Sequence, residues 1–185
     1  MYRPIIAISL ALAFLMSCGS TGEPVDALRD LPRLDRIEFV EDRPTVRVVP
    51  CALPSEVLEI FPAGAADGGV EICRSVVERA LSESGYFRVR GDSDAIYDLR
   101  LEAWEMSGGA TATVRIRGVL WDTAADQAIA PGIDVQGAER SGDMTRSCDL
   151  LDLCTLFRDG APAHRVNAAQ KALWKLVAKT QKQLR

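Results

Sequence analysis

Five cysteines and one histidine are the residues of this chain best suited to covalent or acid–base chemistry. A Ser-His-Asp or Cys-His arrangement would have to be built on His164. That residue stands near Pro162 at the expected entrance of the last helix and reads as a solvated capping residue. The carboxylates Asp92, Asp94, Asp149 and Asp152 have no spacing that forces two of them into one pocket, as glycoside hydrolysis requires, and read as loop and cap residues. Gly64 to Gly69 lacks the Lys-Ser/Thr of a phosphate-cradling loop. No Cys-x-x-Cys occurs to lower a thiol pKa and resolve a mixed disulfide. One histidine without paired cysteine knuckles makes a poor metal site. The sequence therefore predicts no catalytic residue, no metal site and no cofactor.

Cys18 stands apart from the other thiols because of what precedes it. Met1 to Ser17 has a short basic start at Arg3, an apolar run from Ile5 to Met16 and a small residue before the expected cut, the three parts of a secretory leader. The apolar run is too short to span a bilayer, which takes about 20 residues. Leu15-Met16-Ser17-Cys18 resembles the lipobox read by bacterial lipoprotein signal peptidase. The resemblance implies cleavage before Cys18, a diacylglyceryl group on its thiol and a further palmitate-type chain on the new amino terminus. Each buried CH₂ contributes roughly 0.8 kcal/mol and one chain alone holds only marginally, so several chains would make the attachment permanent. In the enteric sorting pattern an Asp after the cysteine retains a lipoprotein at the inner membrane. Gly19 at that place favours the outer membrane, with the chain anchored by lipid on the periplasmic side.

With Cys18 acylated, Cys51, Cys73, Cys148 and Cys154 remain, an even number suited to two disulfides in an oxidising compartment. Cys148 and Cys154 enclose a short loop, and Cys51 ends an expected strand that could lie against the helix bearing Cys73. The preferred pairs are Cys51 with Cys73 and Cys148 with Cys154. The alternative is that some of the four are buried free thiols, a common use of cysteine as a small hydrophobe.

The elements that position these residues fit one domain. At 185 residues there is room for a single core once a leader of 17 is removed. The expected division is a signal peptide over 1–17, a lipidated tether over 18–33 and one periplasmic domain over 34–185. Removing Arg3 leaves 21 basic side chains against 26 acidic, a net of −5 for the processed chain. That weighs against a nucleic-acid partner, which needs a concentrated basic face.

Ile37 to Val40 reads as a short strand, and Thr45 to Val49, rich in β-branched residues and stopped by Pro50, as a better one. Pro54 to Gly69 reads as a loop with one turn around Val57 to Phe61. From Gly69 to Ser84 the residues Val70, Cys73, Val76, Val77, Ala80 and Leu81 recur at three- and four-residue steps, predicting a helix with Asp67 as N-cap and Gly85 as its left-handed stop. Tyr86 to Arg90 predicts a strand. Ile96 to Met106 and Thr111 to Trp121 alternate apolar and charged residues around Ser107-Gly108-Gly109, predicting a hairpin. Gln127 to Gly137 is a weaker strand interrupted by Pro131 and Gly132. Val166 to Leu184 predicts a last amphipathic helix. The expected fold is α/β (α+β): a mostly antiparallel sheet of four to five strands with two helices packed on one face. On the open face, strict alternation turns Trp104 and Trp121 outward beside Arg115 and Arg117. Those four are the candidate partner surface, since aromatics and arginine anchor interfaces. If the N-terminal loop or the 141–162 segment covers that face, the tryptophans belong to a core instead.

Thr45 to Pro50, Leu81-Ser82-Glu83-Ser84-Gly85-Tyr86-Phe87-Arg88-Val89 and Ala95-Ile96-Tyr97-Asp98-Leu99-Arg100-Leu101 together resemble the auxiliary lipoproteins of lipid-trafficking ABC transporters. More distantly they resemble the lipoprotein activators of penicillin-binding proteins and the curli-secretion lipoprotein. The likeness spans roughly 45–121 and the last helix. The four cysteines and the 141–162 segment depart from it. It implies a non-enzymatic envelope lipoprotein that assists a membrane transport or assembly system and binds a protein partner in the envelope or a lipid. A structural or surface-exposed lipoprotein, or a regulator of peptidoglycan synthesis, is the alternative, and an envelope hydrolase would have to depend on His164.

Overall fold

The computed structural model describes residues 31–62, 68–91, 94–129, 132–142, 151 and 153–185. The leader and most of the tether, with Cys18, lie outside the described residues, as do Asp67, Asp92, Cys148, Asp149, Asp152 and the side chain of Cys154. The elements in chain order are β1 (Thr45–Val49), α1 (Ser55–Leu58), α2 (Val70–Glu83), β2 (Arg88–Val89), β3 (Tyr97–Ser107), β4 (Thr111–Asp122), β5 (Gln127–Ala128), β6 (Ile133–Arg140) and α3 (Ala163–Gln183). Short 3-10 turns lie at Val40–Asp42 and Cys154–Leu156.

The sheet is mixed and curled, a correction to the mostly antiparallel expectation. β1 runs parallel both to β2, with Val46 opposite Val89, and to β3, with Val48 opposite Leu99. The cause is the 14-residue helix α2 that follows β1. A crossover of that length returns the chain parallel to the strand it left, whereas antiparallel neighbours need only a tight turn. Alternation within β1 reports which side chains are buried and says nothing of a neighbour's direction. Beyond β3 the expected hairpin is present: β3 and β4 are antiparallel from Tyr97 opposite Asp122 to Ser107 opposite Thr113. β5 and β6 both pair antiparallel with β4, at its end and its beginning respectively, so the interrupted strand splits into two pieces along one edge. Six strands result, against four to five expected.

The expected strand at Ile37 to Val40 does not form. Ile37 N–H finds the Gly85 carbonyl (3.1 Å), and the chain then turns at Val40–Asp42 with Phe39 64% exposed. The helix over 70–83 matches its periodicity, with Cys73, Val76, Val77, Ala80 and Leu81 buried. Gly69 (φ +76°) opens it and Gly85 (φ +69°) closes it in the left-handed region that favours glycine.

α3 is the longest helix, and its inner side is finely graded. Ala168, Ala169 and Ala172 let it approach the sheet, while Val166, Leu173, Leu176 and Val177 fill the core. These side chains belong to one apolar cluster with Val46, Val48, Leu99, Leu101, Val114, Ile116, Leu120, Ile133 and the buried face of α2. The Phe61 and Phe157 rings stack at 5.2 Å and tie the segment after α1 to the one before α3. Ahead of β1, residues 31–37 lie along α3. Trp174 Nε1 donates to the Pro32 carbonyl (2.6 Å), and the buried Gln181 amide bonds both the Asp35 N–H (2.9 Å) and the Asp35 carbonyl (3.1 Å). No helix among the described residues is long and apolar enough to cross a membrane.

α3 and β6 come into close backbone contact at Gly137. A β-carbon at Gly137 would fall into the α3 backbone, against the Ala168 carbonyl and 2.5 Å from the Ala172 nitrogen. Backbone cannot yield as a flexible side chain does. Gly137→Val should therefore lower the free energy of unfolding by about 1–3 kcal/mol in a denaturant titration. Gly142→Val, which meets open space, should change it by less than about 0.5 kcal/mol. Equal effects would contradict the close approach.

Candidate functional site

The face of the sheet turned away from the helices carries two groups of charged side chains. The first is assembled by register. Arg47 on β1 stands opposite Asp98 on β3, and Asp98 stands opposite Trp121 on β4. Arg47 grips Asp98 with two bonds, Nε to Oδ1 and Nη2 to Oδ2, each 2.9 Å. Arg100 approaches the same carboxylate at 3.5 Å and lies 4.1 Å over the centre of the Trp121 ring. The Trp121 indole N–H donates to Asp126 (3.3 Å), itself held in a left-handed turn (φ +48°). Asp98 is 2% exposed. A lone carboxylate there would carry a heavy desolvation cost, which two guanidinium groups offset. Chemically the arrangement is a fixed anion capped by two cations beside a flat aromatic face.

The second group is more open. Arg117 pairs with Glu105 (2.6 Å), and Arg115 pairs with Asp134. Both pairs are diagonal across neighbouring strands, because Arg115 stands opposite Glu105 and Arg117 opposite Asp134 in register. The Arg115 guanidinium holds the Asp134 carboxyl below the usual carboxylate range, and the carboxylate raises Arg115 in turn. These pairs are solvent-exposed and contribute little to stability.

Three of the four residues expected on this face are there: Arg115, Arg117 and Trp121. Trp104 is not. The β3–β4 register shifts between Leu101 and Ala103, so one extra residue enters β3 and the alternation reverses beyond it. Trp104 then stands opposite Ile116 on the buried side, 3% exposed and within the core cluster. Its indole N–H meets no acceptor among the described residues. Arg47, Asp98 and Arg100 are absent from the sequence-derived set. The signal that would find them is a charged residue set among apolar ones in each of two strands, Arg47 within Thr45 to Val49 and Asp98 within Tyr97 to Leu101, which the parallel β1–β3 pairing brings together. Among the described residues no cluster of three or more metal-ligating side chains occurs.

On the helix side, Cys51, just past β1, lies beside Cys73 on α2, but the expected disulfide between them is not present. Both are thiols in this structure. The Cys73 thiol donates to Cys51, and this bond, helped by the Cys51 backbone amide and opposed by burial, lowers the Cys51 thiol to about 7. Cys73, the buried donor beside a neighbouring thiolate, is pushed far upward. The pair of Cys148 and Cys154 falls outside the described residues.

No family model matches the chain, and no curated protein matches it significantly. Among solved structures it is similar to a Xanthomonas campestris protein of the DUF330 family, at 14% identity over 83% of this chain and 95% of that one (TM-score 0.42). It is similar to a single-residue variant of PelC from Paraburkholderia phytofirmans, a dodecamer, at 18% identity over 80% and 94% of the two chains (TM-score 0.41). It is also similar to uncharacterized lipoprotein B from Nitrosomonas europaea, at 15% identity over 83% and 96% (TM-score 0.37). At such identities and scores neither family nor function follows.

The thiol geometry has a measurable consequence. In the reduced protein Cys51 should alkylate with a pH midpoint of about 7, while the buried Cys73 stays unmodified until the protein is unfolded. Because the folded Cys51 pKa lies below the ordinary thiol value of 9.0, its thiolate contributes stability that is lost as pH falls through about 7, while the upward-shifted Cys73 takes stability away above 9.0. Equal labelling of both thiols at every pH would overturn this assignment.

Proposed function

We propose that the chain is a non-enzymatic envelope lipoprotein, anchored through acyl chains on Cys18 to the periplasmic side of the outer membrane, which serves as an auxiliary or assembly component of a membrane transport system. The lipid-trafficking ABC type is favoured by the resemblance of 45–121. The single observation that carries the reading is Leu15-Met16-Ser17-Cys18 at the end of an apolar leader. The open sheet face supports a binding role, since Arg100, Arg117 and Trp121 present the side-chain types that anchor protein interfaces and are themselves held in place by Asp98, Glu105 and Asp126. An oxidising compartment would also join Cys51 to Cys73. Two thiols would lose two protons and two electrons to a thiol oxidant of the envelope, and the unreduced protein would then take no label at either position until a reductant is added.

The test uses full-length protein expressed in cells. Cys18→Ala should move it from the detergent phase to the aqueous phase, and unchanged partitioning would remove the anchor. With the acylated protein, in-cell cross-linking should capture an envelope protein, and Trp121→Ala should reduce that capture at least about five-fold, the effect of losing one interface anchor. Undiminished capture would mean that the partner binds elsewhere.

A further inference from the structure

Residues 163–185 hold no acidic side chain and six basic ones, Arg165, Lys171, Lys175, Lys179, Lys182 and Arg185, in a chain whose net charge is −4. At 100° per residue, Lys175, Lys179 and Lys182 fall within one arc of about 60° on the side of α3 that borders β6, with Lys171, largely buried and paired with Glu139, at its inner end and Trp174 and Arg185 on one flank. The neighbouring acids are already engaged: Glu139 by Lys171, Asp35 by Arg185 and Asp134 by Arg115. Lys175 reaches the Gln136 carbonyl (2.9 Å). Lys179 and Lys182 are exposed, and Lys179 adds to the positive field that lowers the Asp134 carboxyl, chiefly the work of Arg115. The arc is thus left with a surplus of positive charge.

The chain enters the domain along the same helix. Pro32 is bonded by Trp174, and Asp35 is clamped by Gln181, the residue before Lys182. Thirteen peptide steps separate Leu31 from Cys18, at most about 45 Å of extended chain. Arg33 and Arg36 lie in this strap and are exposed, while Glu38, Glu41 and Asp42 come after it and carry the opposite sign.

We infer that the arc of α3 over Lys175 to Lys182 is the surface by which the domain lies against an anionic phospholipid headgroup layer, Trp174 standing at its margin. The inference rests on the lipid anchor proposed above. An acyl anchor fixes the distance from the membrane, and the lysine arc fixes which side of the domain faces it. Each lysine near an anionic surface strengthens contact about five-fold at physiological salt, and the contact weakens as salt rises.

Full-length acylated protein, reconstituted in vesicles of phosphatidylcholine with or without phosphatidylglycerol, tests it. A benzophenone amino acid replaces Lys182 on the arc or Ala138 on the opposite face of the sheet. With phosphatidylglycerol present, lipid adducts at position 182 should exceed those at 138 at least about five-fold. The excess should vanish in phosphatidylcholine alone, in high salt, and in the Lys175→Gln, Lys179→Gln double variant, whose circular dichroism and thermal midpoint should match the parent's. Protein held by the vesicles with equal adducts at both positions, or with adducts at 182 to a second protein chain instead of lipid, would overturn the docking surface and leave the anchor standing. Protein not held by the vesicles at all would overturn both.

Discussion

The contact between the α3 backbone and β6 at Gly137 is the constraint on which the rest of the domain depends. Only a residue without a β-carbon lets the helix settle there, with Ala168 and Ala172 on the helix meeting it. Closeness at that point sets how deeply Leu173, Leu176 and Val177 reach into the sheet, and hence the volume left for Val114, Ile116 and Ile133 beneath them. Such packing is felt atom by atom, because interiors are as dense as organic crystals. It also sets the position of Gln181, and through Gln181 the path of the segment that leads into β1.

Much of this was legible beforehand, and the limits were physical. The stripe from Val70 to Leu81 and the alternation on either side of Ser107-Gly108-Gly109 located α2 and the hairpin because each element buries one side against a single core. The Pro131-Gly132 interruption correctly marked the weak edge strand. Strand direction was not legible, since a side-chain pattern is the same whichever way the neighbour runs. Trp104 was misplaced for a related reason. Alternation assumes an unbroken ladder, and one inserted residue near Glu102 exchanges the faces of everything after it. On the candidate face, Arg115, Arg117 and Trp121 followed from the pattern. Arg47 and Asp98 did not, because their meeting depends on the crossover made by α2.

The open face is charged yet nearly self-satisfied, and that distinguishes it from a surface kept open by repulsion. Arg47 and Arg100 share one carboxylate, Arg117 has Glu105, and Arg115 has Asp134. The side chains are therefore held in fixed conformations before any partner arrives, which lowers the ordering cost of association. On α3 the opposite holds. The helix has no acid of its own, Glu139 is taken by Lys171, and Lys179 and Lys182 stay exposed. One face carries mutually paired charges, the other a surplus of one sign.

The Gln181 clamp on Asp35 has a mechanical meaning. Tension entering the domain from its amino-terminal side arrives first at Pro32 and Asp35, where three hydrogen bonds connect the strap to the far turns of α3. A pull would thus load the longest helix across its seat on the sheet before it could peel β1 from its neighbours.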